Sequence, residues 1–319
     1  MSRRGTVRGL CLVAALTVLS LSVAPVYGAG RGEPREGYLF AATYMTLNNP
    51  FFVVLHESIA ETVESRGDRI VVLNPDYDQV LQVAQIEDLL SMGIDALFLN
   101  PVDWKGIRPA LEAANNAGVP VFVVDAPVYD EQFVVSTIVS DNREAGRLAA
   151  LDLLERRSGG TVVILDHPTN KPSIDRVEGF TSVLETDPDF SVVSQLSAFG
   201  TVEGALPQME NALQAHSDID VVFGSNDPTC LGALAAIVAA NRAGEILLYG
   251  VDGSPEGRDM VREGFMAGTS AQSPVSMGRI AAETAYRYLA GEDVPSRVFV
   301  PVSLVTPENV DRYPDEGWQ

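Results

Sequence analysis

Asn49-Pro-Phe-Phe52, Asp125, Asn226-Asp227, Asp252 and Gln272 are amide, carboxylate and aromatic residues that stand just after apolar, strand-like runs of the sequence. Carboxylates and amides accept and donate hydrogen bonds in pairs, as adjacent hydroxyls require, and flat aromatic rings suit the C–H faces of a pyranose or furanose. The combination describes a lining for a neutral polyhydroxylated ligand. Asp and Asn at such turns also serve as helix N-caps, a reading that explains any one of them more easily than all five.

Other chemistries lack their residues. There is no Gly-x-Gly-x-x-Gly after the first strand, no Gly-x-x-x-x-Gly-Lys-Ser/Thr and no Gly-x-Ser-x-Gly, so no dinucleotide fingerprint, phosphate loop or nucleophile elbow is expected. The three histidines, His56, His167 and His216, have no metal-ligand spacing, and neither a metal nor a cofactor is expected. His167 alone follows a strand at its carboxyl end, where open α/β sheets place ligands.

The elements that position these groups alternate along the chain. Strand-like runs are expected at Tyr38–Thr43, Arg69–Leu73, Ala96–Asn100, Val119–Val124, Val134–Val139, Thr161–Leu165, Val192–Leu196, Val221–Gly224, Ile246–Val251 and Ala267–Ala271. Runs with helical apolar spacing lie between and after them, and Gly67, Gly93, Gly118, Gly244 and Gly291 follow helical runs as stop signals. The alternation predicts parallel sheets covered by helices on both faces. Ten strands exceed one doubly wound sheet, so two similar α/β lobes are expected.

With 22 Lys+Arg against 43 Asp+Glu the net charge is -21, which repels phosphate backbones and excludes nucleic acid as a partner. Arg3, Arg4 and Arg8 precede an apolar run from Leu10 to Ala24, with small or apolar residues before a cut after Gly28. Residues 1–28 read as a signal peptide, which makes the mature chain periplasmic. Cleavage removes three arginines and no acid, taking the charge from -21 to -24. It leaves Cys230 alone in an apolar run, a buried small residue rather than a nucleophile.

Thr46-Leu-Asn-Asn-Pro-Phe-Phe52, Leu99-Asn-Pro101, Ile138-Val-Ser-Asp-Asn142, Arg176-Val-Glu-Gly-Phe180, Ser225-Asn-Asp227 and Gly250-Val-Asp-Gly253, in this order over about residues 38–305, resemble the periplasmic ribose-binding protein family, the type I substrate-binding proteins of ABC sugar importers. The resemblance implies two lobes, 37–139 with 273–300 and 140–272 with 301–319, joined by three crossings near Val139–Asp141, Gln272–Ser273 and Pro301. It implies that Phe51 and Phe52 sandwich a sugar with Phe199 approaching from the other lobe. Asn49 and Asp125 then bond ring hydroxyls, and Arg176, Asn226, Asp252 and Gln272 complete a polar shell. A monomer that delivers its ligand to an ABC permease is the expected form.

Ribose binders of that family carry Arg immediately after the strand-end Asp, whereas Asp125 is followed by Ala126. Losing a guanidinium removes several hydrogen-bond donors and makes room for a different anomer, a hexose or a polyol. Trp104 and His167 also differ in nearby loops. Presentation of the closed form to a chemoreceptor or membrane kinase is the alternative role. A LacI-type effector domain requires an N-terminal helix-turn-helix in place of the leader. A secreted hydrolase requires paired catalytic carboxylates, which Asp125 and Asp252 would have to supply, and no enzyme is expected.

Overall fold

Asn49 and Pro50 illustrate how this sequence starts its helices. The Asn49 side chain accepts from the Phe51 N–H at 3.0 Å, and Pro50 takes the first helical turn, where a missing N–H costs nothing. The same arrangement, a side-chain cap followed by proline, recurs at Asn170, Asn226, Ser254 and Ser273. The computed structural model describes Met1, residues 37–314 and residues 317–319. The expected leader and its cleavage site at Gly28 lie outside the described residues.

The first sheet contains β1 (Leu39–Thr43), β2 (Arg69–Leu73), β3 (Ala96–Leu99), β4 (Val121–Val124), β5 (Ser136–Ser140) and β11 (Arg297–Val300), in the order β11-β5-β4-β3-β1-β2. All its pairings are parallel. Alternate residues feed two cores. Phe40, Phe98 and Phe122 face α1 (Pro50–Glu64) and α9 (Pro274–Leu289), while Leu39, Leu97 and Val121 face α2 (Gln79–Ser91) and α3 (Arg108–Ala117). Burial on both faces explains why these strands read as continuous apolar runs.

The second sheet has the order β12-β10-β9-β8-β6-β7, from β6 (Gly160–Asp166), β7 (Phe190–Ser197), β8 (Ile219–Gly224), β9 (Leu247–Asp252), β10 (Gly268–Ala271) and β12 (Ser303–Val305). Only β12 runs antiparallel. Helices α4 (Asn142–Arg156) and α5 (Lys171–Leu184) cover one face, and α6 (Val202–Ala215), α7 (Asp227–Ala239) and α8 (Pro255–Arg262) the other. The chain passes from sheet to sheet between β5 and α4, between β10 and α9, and between β11 and β12.

The last two strands are absent from the sequence reading. They are four and three residues long, they occupy sheet edges, and Pro301 lies between them, so neither leaves a periodic signal. The glycine stops behave as expected, each with positive φ. Cys230 is fully buried and unpaired. Two other glycines set a close approach: a Cβ on Gly146 of α4 would sit 1.9 Å from the Arg176 carbonyl, and one on Gly179 of α5 would sit 2.0 Å from that of Arg143. No larger residue lets α4 and α5 cross at that distance, and the crossing places Arg176.

Candidate functional site

The loops after the carboxyl ends of both sheets face one chamber, with a cavity volume of ≈ 40 Å³. At about 10–15 Å³ for one water, that is space for about three or four waters, so the chamber takes one small ring at most. The structure brings all nine sequence-predicted residues to it: Asn49, Phe51, Phe52 and Asp125 from the first lobe, Arg176, Phe199, Asn226 and Asp252 from the second, and Gln272 at a crossing.

Arg176 organises the polar side. It is buried, donates from Nε to Asn142 Oδ1 at 2.8 Å and from Nη1 to the Ser225 carbonyl at 2.7 Å, and faces Asp252 Oδ1 at 3.7 Å. Gln272 Nε2 donates to Asp252 Oδ1 at 2.8 Å, leaving Gln272 Oε1 buried without a protein partner. Asn100 Nδ2 donates to Asp125 Oδ2 at 3.1 Å. A buried acceptor left unmade costs about 1–3 kcal/mol, so Gln272 Oε1 gains from a hydroxyl donor in the chamber.

Burial pushes the Asp125 carboxyl up to about 6 against the opposing pull of Arg176 and Asn100. Asp252 is raised too, by burial and by Asp125. Asp227, directly behind it, is raised by burial and by Asp252, while Thr269 Oγ1, Ser254 N and Ser254 Oγ bond its oxygens at 2.6, 2.9 and 2.9 Å. Asp227 does not line the chamber and holds the β9–α8 turn instead.

The aromatic side is packed differently. Phe51 and Phe52 meet edge to face at 5.4 Å, Trp318 meets Phe51 at 5.6 Å, and Tyr44 stacks on Phe52 at 6.2 Å. Phe199 is 56 % exposed and contacts His167 at 5.9 Å. The two asparagines keep both roles open to them. Asn49 caps α1; Asn226 caps α7 and donates to the Gly200 carbonyl at 3.0 Å. Each retains amide N–H capacity toward the chamber.

Sequence reasoning left His167, Tyr77, Asn170 and Ser173 out of the site, and all four line it. For His167 the signal was its place after β6. Burial lowers its imidazole to about 4, so near neutral pH it offers one donor and one acceptor. Tyr77 had no signal, because its loop is shaped by backbone that no motif encodes. Trp104 lies outside, against Tyr129 at 5.7 Å, and the buried Ala126 is not among the lining residues.

Of the six non-glycine residues with positive φ among the described residues, Asp125 (64°), Phe199 (53°), Asp252 (138°) and Tyr77 (64°) line this chamber. Such conformations cost of order 1–3 kcal/mol each and persist where the surroundings over-determine them.

A model of the periplasmic binding protein domain matches residues 40–293. The chain is 35% identical over 279 residues to the ribose import binding protein RbsB of Bacillus subtilis, covering 86% of this chain and 89% of that one. A solute-binding protein from Actinobacillus succinogenes with bound D-allose superposes with a TM-score of 0.80 at 27% identity, over 86% of this chain and all of its own. One from Bacillus halodurans with bound myo-inositol gives 0.82 at 25% identity, over 88% and 99%.

Proposed function

The chain belongs to the periplasmic binding protein family, and from that premise we propose that it captures one neutral monosaccharide or polyol in the chamber and delivers it to an ABC permease. The observation that carries the reading is the convergence of Arg176, Asp125, Asp252, Asn49, Asn226 and Gln272 with Phe51, Phe52 and Phe199 around a space of one small ring. Hydroxyls that donate to Asp125 and Asp252, and accept from Arg176, form charge-assisted bonds worth roughly 1.5–3 kcal/mol each. The rings cover the C–H faces.

Three crossings, between β5 and α4, between β10 and α9 and between β11 and β12, act as the hinge, and the two lobes built on the two sheets swing as bodies. Because both lobes line the chamber, a sugar binds the closed form better than the open one and shifts the population toward it. The permease recognises that closed form on the periplasmic side. The protein binds without turnover: Asp252 is held by Gln272 and Asp125 by Asn100, an arrangement for accepting hydroxyls. Ala126 removes the arginine of the ribose binders, so the preferred ligand is not fixed as ribose.

A thermal-shift screen of residues 29–319 against D-ribose, D-allose, D-glucose, D-galactose and myo-inositol tests the reading, since a ligand that binds only the folded state raises Tm. At least one should raise it, and the sugar should be recovered unchanged. A flat response from protein refolded to strip any carried ligand, or release of a product, overturns the proposal.

A further inference from the structure

Asn49, Tyr77, Gly200 and Asp252 line not only the chamber but an adjoining cavity of ≈ 640 Å³. Its walls carry the rings of Tyr77 and Trp318, the apolar Val202 and Leu231, and the carboxylates of Asp76, Glu203 and Glu256; among the described residues no Lys or Arg lines it. The Tyr77 wall is fixed in place. Asp76 and Tyr77 both have left-handed backbone (φ 48° and 64°), Tyr77 N–H donates to the Met45 carbonyl at 2.7 Å, and Asn48 Nδ2 donates to Asp76 Oδ1 at 2.7 Å. Trp318 is tied on both sides, by Arg258 Nη2 to the Gly317 carbonyl and by Gln319 Nε2 to the Gln272 carbonyl, each at 2.7 Å.

We propose that this second cavity is a subsite for a neutral substituent on the sugar held in the chamber, a second sugar ring or an aromatic aglycone, so that the ligand class includes glycosides. The inference rests on the reading of the chamber as a sugar site. The chamber accommodates one ring, and the adjoining space accommodates what that ring carries. Flat rings on two walls suit a further pyranose face or an aryl group. The lining carboxylates outnumber the cations near them, so they accept hydroxyls and repel phosphate and carboxylate, which disfavours sugar phosphates and sugar acids.

Calorimetry tests it with D-ribose, D-allose, D-glucose and D-galactose and, for each sugar that binds, the methyl and phenyl glycosides of both anomers. At least one phenyl glycoside should bind as tightly as its free sugar, to within threefold. Val202→Trp and, separately, Leu231→Trp fill the second cavity from α6 and α7. Each should weaken that glycoside at least tenfold and leave the free sugar within threefold. If a free sugar binds and every glycoside is weaker by a hundredfold or more, the subsite is refuted while the chamber reading stands. Equal weakening of sugar and glycoside in a variant that still folds also refutes it. If neither sugars nor glycosides bind, the chamber reading fails and takes the subsite with it.

Discussion

In the wall that the first lobe gives the chamber, Phe51 and Phe52 belong to the same buried cluster as Phe40, Phe98 and the inner face of α9. In the wall that the second lobe gives, Arg176, Asp252 and Asn226 are held by hydrogen bonds and charge, and Phe199 stands half out. The first wall therefore forms when the lobe folds and has its shape before any ligand arrives. The second stores unsatisfied hydrogen-bonding capacity that a ligand completes. Affinity on the aromatic side is bound up with stability; on the polar side the two separate, and the protonation state of the carboxylates enters.

The largest expected effect breaks or keeps that distinction directly. Phe51→Ala removes a core side chain that touches both Phe52 and Trp318, at a cost of about 3–5 kcal/mol in unfolding free energy. Urea denaturation should show that loss, and calorimetry a parallel loss of sugar affinity. Weakened binding with unchanged stability would detach the aromatic wall from the core.

Arg176→Ala and Asp252→Asn address the other wall. Each removes charge-assisted bonds worth roughly 1.5–3 kcal/mol, so the dissociation constant should rise at least tenfold, with the circular dichroism of the folded protein retained. Asp252→Asn keeps the shape of the side chain and also relieves a buried carboxylate beside Asp227, so its unfolding midpoint should not fall. Undiminished affinity in either variant removes that residue from the site.

Protonation sharpens the contrast. Asp125 titrates at about 6 in the fold, raised by burial, against about 3.9 in an unfolded chain. The folded protein thus holds a proton between roughly pH 4 and 6 that the unfolded chain has released. The contribution of Asp125 to stability is present in full below pH 4 and is lost as pH rises through 6, a change on the order of 3 kcal/mol. Binding runs the other way, because a ligand hydroxyl donates to the ionised carboxylate. Sugar affinity should weaken as pH falls below 6, and Asp125→Asn should gain stability relative to the native protein between pH 4 and 7. A flat profile for that difference would mean that Asp125 titrates normally. The native profile alone does not isolate Asp125, since burial raises Asp252 and Asp227 as well, and His167 becomes charged in the chamber near the bottom of the same window.

The sequence disclosed the polar wall more completely than the shape around it. Asp125, Asn226 and Asp252 stand at strand ends, where alternating apolar runs announce their position, and the sheets follow from the same alternation. Arg176 and Phe199 came through the family resemblance, since α5 alone presents Arg176 as a surface residue and only the glycine-mediated α4–α5 crossing turns it inward. Tyr77 stayed hidden because its place depends on two consecutive left-handed residues, and β11 and β12 because short edge strands have no periodicity. His167 was visible as a strand-end residue, but burial beside Phe199 is a tertiary fact.

Asn49 allows the finest division between building the wall and holding the ligand. Its Oδ1 accepts from the Phe51 N–H, which caps α1 and sets the entry of both rings, while its Nδ2 donors are the part available to a hydroxyl. Aspartate in its place keeps the accepting oxygen and puts negative charge at a helix N-terminus, where it is favourable, but removes both donors. Asn49→Asp should unfold within about 0.5 kcal/mol of the native protein and still lose roughly fivefold to tenfold in sugar affinity, the worth of about one hydrogen bond. Asn49→Ala removes cap and donors together and should lose about 1 kcal/mol of stability as well. Full affinity in Asn49→Asp, with reduced affinity in Asn49→Ala, would make the residue a cap that shapes the aromatic wall and leave all direct hydrogen bonding to the groups around Arg176.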